Sequence, residues 1–209
     1  MSSLRVGVAL VSLGLGPLAV LAQTTAADSP PAVNAIWVEK DIEFTYMAFT
    51  TYYSCDGLRD KLRWVLKEIG ARPGFKVTVT GCMNTGPDVL PHARIRAAMP
   101  QAATPELLAE LARDASQREL VARTTGKSAD VNEPTAQFPA RTRRIEFTDD
   151  PLGHIEAGDC ELVEQLRDHV FVPLGAKVVE DRMRCTPKQL NLNGVNLTIE
   201  VLEPVPEKK

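Results

Sequence analysis

The chain has 209 residues, 44% of them hydrophobic and 24% charged, with a formal net charge of −3. That length holds one substantial domain or two small ones. Its mild acidity is spread along the sequence and gives no reason to expect nucleic acid or an anionic membrane surface as a partner.

The first 22 residues read as a secretory signal. Arg5 supplies a positive start, Val6 to Leu21 is an apolar run interrupted only by Ser12, glycines and Pro17, and Val20-Leu21-Ala22 predicts cleavage after Ala22. The run falls short of the roughly 20 apolar residues of a membrane span, so no stable span is expected after cleavage. No cysteine follows the run to carry a lipid. The chain is therefore expected to be periplasmic or secreted, with a charge of −4 once Arg5 is lost. Residues 23–35, rich in Ala, Thr and Pro, read as a flexible leader.

Residues 36–100 form a first predicted unit. Ile42 to Tyr53 is rich in β-branched and aromatic residues, with Ile42, Phe44 and Tyr46 on one face and Met47 and Phe49 on the other, which predicts a strand buried within a sheet. Leu58, Leu62, Val65, Leu66 and Ile69 then recur at helical spacing, and Gly70 stands at the stop. Phe75, Val77 and Val79 predict a short strand running into Cys82. Ala93 to Met99 reads as a third strand, placed at an edge or a solvent face by Arg94 and Arg96. Residues 101–142 read as a connecting helix started by Thr104-Pro105 and followed by a linker over Lys127 to Arg141.

Residues 143–204 repeat the order, and 205–209 form a tail. Ile145 and Phe147 mark a strand; Leu162, Leu166 and Val170 mark a helix that Pro173 should end early. Lys177 to Met183 is a returning strand, and Val195, Leu197, Ile199 and Val201 alternate as a last one. Both copies open with Ile-Glu-Phe-Thr, at Ile42 and at Ile145. Each reaches a cysteine, Cys55 or Cys160, then a Gly-Ala pair after the same gap, then a second cysteine, Cys82 or Cys185. The expected fold is α+β: two tandem βαββ pseudo-repeats of ferredoxin-like or similar mixed-sheet type, each closed by a disulfide.

Four cysteines in an exported chain favour disulfides. In a right-handed βαβ unit the helix start and the end of the returning strand share one edge. Cys55 is thus expected to pair with Cys82, and Cys160 with Cys185.

Two places are candidates for chemistry. Asp149, Asp150, His154, Glu156 and Asp159 lie between a strand and a helix and form a candidate cation site of carboxylates and one imidazole, although no EF-hand or zinc spacing is present. Tyr46, Tyr52 and Tyr53, with Phe49, make the densest aromatic cluster and could line a ligand groove or simply pack the core. His92 and His169 have no partner at triad spacing. Asn196-Leu-Thr198 matches a glycosylation acceptor within a predicted strand.

No nucleotide fingerprint or nucleophile elbow occurs, and no cofactor is expected. The leading expectation is a non-catalytic exported module that binds an unknown protein or small-molecule partner in the cell envelope, or assists envelope assembly. The alternatives are a metal-dependent or hydrolytic enzyme at the His154 loop, and a carrier using a cleft between the units.

Overall fold

The computed structural model describes residues 31–82, 90–125, 136–149, 154–189 and 194–206. The expected signal segment, most of the leader, and Asp150 lie outside them.

The fold is α+β, and the described residues form one six-stranded antiparallel sheet and three helices. In chain order the elements are β1 (Val33–Thr45), α1 (Cys55–Glu68), β2 (Lys76–Thr80), β3 (His92–Ala102), α2 (Pro105–Thr125), β4 (Phe138–Thr148), α3 (Cys160–Leu166), β5 (Lys177–Asp181) and β6 (Asn196–Pro204). The strand order is β2-β3-β1-β4-β6-β5. Within each half the third strand lies between the first and the second, and every ladder is antiparallel. β3 is therefore interior; the edges are β2 and β5, both short and both starting on a lysine, which discourages edge-to-edge pairing. Arg94 and Arg96 do face solvent, as their charge suggested, but as ion-pair partners of Glu43 and Asp41 on the outer face of the sheet.

The two halves meet at a narrow joint. β1 and β4 pair only over Val33–Ala35 and Phe138–Ala140, both at strand starts, so the two strands leave the joint in opposite senses. Yet the loop after β1 touches the turn before α3, and β3 and β6 approach each other although two strands separate them in the order. Both contacts require the sheet to fold back on itself about the joint. The result is a single hydrophobic core that includes Phe44, Leu62 and Ile95 from the first half and Phe147, Leu166 and Phe171 from the second. The halves thus share one sheet and one core.

Local chemistry accounts for the helix limits. Ser54 caps α1 by accepting from the Gly57 N–H at 3.1 Å, with Asp56 in the first turn and Lys67 in the last to oppose the helix dipole. At its end the Gly70 N–H donates to the Lys67 carbonyl and the Ala71 N–H to the Leu66 carbonyl, with Gly70 at φ +83°, the double bond of a left-handed glycine cap. The second Gly-Ala pair repeats this after α3: Gly175 donates to Val172 and Ala176 to Phe171, with Gly175 at φ +93°. Pro173 does shorten the second helix. α3 gives way at Arg167–Phe171 to one wide turn in which Val172 donates five residues back, to the Arg167 carbonyl. Between the halves, Thr104 caps α2 through the Leu107 N–H at 3.2 Å. None of the described side chains of α2 is buried.

Both expected disulfides are present, Cys55–Cys82 and Cys160–Cys185. Cys55 and Cys160 are the first residues of α1 and α3, as the edge argument required. The limits of β1 and β4 differ most from expectation. β1 begins at Val33, inside the expected leader, and ends at Thr45 rather than Tyr53. β4 begins at Phe138, inside the expected linker.

Candidate functional site

The segment from Tyr46 to Ser54 leaves the sheet and is fastened to the other half, at Met47, Phe49 and Thr50 to side chains of α3 and at Thr51 and Tyr53 to the turn before it. The Tyr46 N–H donates to the Pro91 carbonyl at 2.9 Å, which ties the segment to the start of β3. Gln165 then grips Met47 at both backbone groups, accepting its N–H and donating to its carbonyl, each at 2.9 Å. One Glu161 oxygen accepts the N–H groups of Phe49 and Thr50 at 3.1 and 2.9 Å, while the other accepts the Thr50 hydroxyl at 2.7 Å. Thr51 donates its hydroxyl to the Gly158 carbonyl at 2.7 Å, and the Tyr46 hydroxyl donates to the Thr51 carbonyl at 2.8 Å. With these partners the segment can dispense with a strand ladder, which is why an apolar, β-prone stretch is a loop.

A buried charge pair lies beneath the loop. Asp159, 2% exposed, takes Lys61 Nζ at 2.7 Å, the Glu156 N–H at 2.8 Å and the Tyr53 hydroxyl. Lys61 also donates to the His154 carbonyl at 3.1 Å. The carboxylate and the ammonium are held by each other and by uncharged donors and acceptors, the condition under which a buried ion pair is tolerated. Burial and the charges of Glu161 and Asp159 lift the Tyr46 phenol well above its ordinary range, and burial with the hydrogen bond to Asp159 and its charge does the same for Tyr53. Neither is a ready phenolate nucleophile at neutral pH.

The aromatic cluster expected from sequence therefore divides by depth. Tyr46 is fully buried, with its ring 5.3 Å from that of the half-buried Tyr53. Tyr52 is 57% exposed, and Met47 and Phe49 are each 49% exposed. Leu90, beside the Pro91 that holds the loop's first amide, is also exposed. Met47 and Phe49 are thus exposed side chains on backbone that Gln165 and Glu161 hold.

The residues of the expected cation site are engaged separately. Asp149 accepts the Val195 N–H at 3.0 Å, and Glu156 takes part in a reciprocal capping box with Asp159. The His154 ring stacks on Trp64, with centroids 4.9 Å apart. Among the described residues no group of three or more His, Cys, Asp or Glu side chains is placed to hold a metal ion. His92 shares a 3.1 Å hydrogen bond with Thr45 on the surface, and the exposed His169 packs beside Phe44.

Sequence reasoning passed over Lys61, Glu161 and Gln165. Lys61 and Gln165 look like ordinary solvent-face residues of amphipathic helices; the available signal was Glu161, an acid directly after a cysteine expected to be tied down at a helix start.

The chain matches no model of a known protein family, no curated protein and no solved structure.

Proposed function

We propose that this chain is an exported, disulfide-stabilised, non-catalytic module that binds a macromolecular partner of the cell envelope through the loop from Tyr46 to Ser54. The observation that carries the reading is the contrast within that loop. Its backbone is held from below at Met47, Phe49 and Thr50 while the side chains of Met47, Phe49 and Tyr52 are left in solvent. Clustered apolar side chains at a surface mark interaction sites, and aromatic anchors on ordered backbone bind without first losing loop entropy. The ionisable groups beneath the loop, Lys61, Asp159 and Glu161, are occupied with one another or with the loop and nearby backbone.

Export is part of this proposal: the signal-like first 22 residues and two disulfides agree with an oxidising compartment, periplasmic or extracellular. Among the described residues no helix is long and apolar enough to cross a membrane. We also take the two βαββ halves as tandem pseudo-repeats. The matched Ile-Glu-Phe-Thr strings, the equal gaps from cysteine to Gly-Ala, and the shared order with the third strand inside all favour that origin.

The test is capture from envelope extract with the chain lacking residues 1–22, beside the triple variant Met47→Ser, Phe49→Ser, Tyr52→Ser. A partner held by the parent and lost by the variant is expected. Equal capture by both removes the loop from the proposal.

A further inference from the structure

We infer that Glu161 is a positioning residue, which shapes the recognition loop from the opposite half of the chain; this rests on the binding role proposed for Met47, Phe49 and Tyr52. Glu161 is 6% exposed, an unusual depth for a carboxylate unless its oxygens are occupied. They are occupied by the loop, which supplies two backbone N–H groups and one hydroxyl from two consecutive residues, Phe49 and Thr50. The gripped backbone belongs to Phe49, whose ring is displayed, and Gln165 grips that of Met47, the other displayed residue on this stretch. One face of α3 thereby sets the spacing of two solvent-facing side chains.

The grip has a fixed base. Glu161 directly follows Cys160, whose disulfide ties the start of α3 to Cys185, and Asp159 on its other side is locked to Lys61 and Tyr53. At the far end of the loop, Cys55 is tied to Cys82. The loop is thus built by the first half and shaped by the second, and neither half alone would present it. Phe49 and Thr50 have no ladder partner, so losing Glu161 leaves their N–H groups with no acceptor but water.

The experiment compares Glu161→Ala, Glu161→Gln and Thr50→Val with the parent chain. Amide hydrogen exchange at Phe49 and Thr50 is followed by NMR, with the Leu62 and Leu66 amides of α1 as internal references. Glu161→Ala is expected to speed exchange at both loop amides by about tenfold or more and to weaken capture of the envelope partner by about tenfold, the size of one lost hydrogen bond to a charged group. The reference amides should hold. Glu161→Gln keeps an acceptor for the two N–H groups and a donor for the Thr50 hydroxyl, so it should restore most of both properties. Thr50→Val removes one bond and should give a smaller change in the same direction; it serves as the informative variant if Glu161→Ala does not fold. Loop amides that exchange at the parent rate would overturn the inference, as would faster exchange with undiminished capture. Intact capture by the Met47, Phe49 and Tyr52 triple variant would instead remove the binding role, while the exchange result would still report on the positioning.

Discussion

Asp159→Ala is the substitution whose effect the structure fixes most closely. It removes the carboxylate that Lys61, Tyr53 and the Glu156 N–H all share. Breaking one side of a buried pair costs about 3–5 kcal/mol, because the other charge stays buried without compensation. Here Lys61 keeps the His154 carbonyl, and its side chain is 19% exposed, so water and that carbonyl recover part of the loss. The expected cost is at the low end, about 3 kcal/mol. For a chain of this size that lowers the melting temperature by about 6–12 °C, at about 2–4 °C per kcal/mol. Urea unfolding followed by circular dichroism measures it directly. The double variant Lys61→Met, Asp159→Leu removes both charges and should recover most of the stability, since well-packed apolar residues often replace a buried pair without loss. A single variant that costs less than about 1 kcal/mol, or a double variant as unstable as the single, would refute the account of this pair as a mutually compensated buried unit.

Replacing Cys160 and Cys185 by serine should destabilise the chain by about 3.5 kcal/mol, from the entropy of a closed loop of this length, in urea unfolding of the double-serine variant against the oxidised parent; the sequence separation is 25. Tyr46 and Tyr53 have folded-state pKa values raised above the unfolded value. The stability they confer is complete below about pH 10 and declines as pH rises beyond it, at about 1.4 kcal/mol per pH unit for each phenol that ionises only on unfolding. Near-ultraviolet titration of the folded chain should accordingly lack two of its three tyrosines, and a full phenolate signal without unfolding would contradict their burial. Gly70→Ala should cost about 1 kcal/mol because alanine must adopt a left-handed conformation there, and Gly70→Asn less, as read by thermal melts of both variants.

Much of the framework was legible before any coordinates. The cysteine spacing and the sense of a βαβ crossover named both disulfides, and apolar periodicity placed α1, because these depend on residues near one another in the chain. Strand limits were read less well. Val33 to Ala35 looked like the end of a leader, yet they start β1, drawn into the sheet by ladders with β3 and β4. The stretch from Met47 to Tyr53 has strand composition and is a loop, since the N–H groups of Met47, Phe49 and Thr50 go to side chains more than 100 residues away rather than to a neighbouring strand.

The loop and its support were invisible for the same reason. Tyr46, Tyr52 and Tyr53 were singled out together by composition, but their separation into one buried, one half-buried and one exposed residue depends on where α3 comes to rest. By itself the sequence determined the local and covalent order: which segments are helices, which glycines end them, and which cysteines join. The tertiary structure alone decided that the sheet folds about a three-residue joint, which brings Asp159, Glu161 and Gln165 of the second half under the loop of the first. Period and spacing record what a residue does with its chain neighbours; a hydrogen bond across the fold leaves no period behind it.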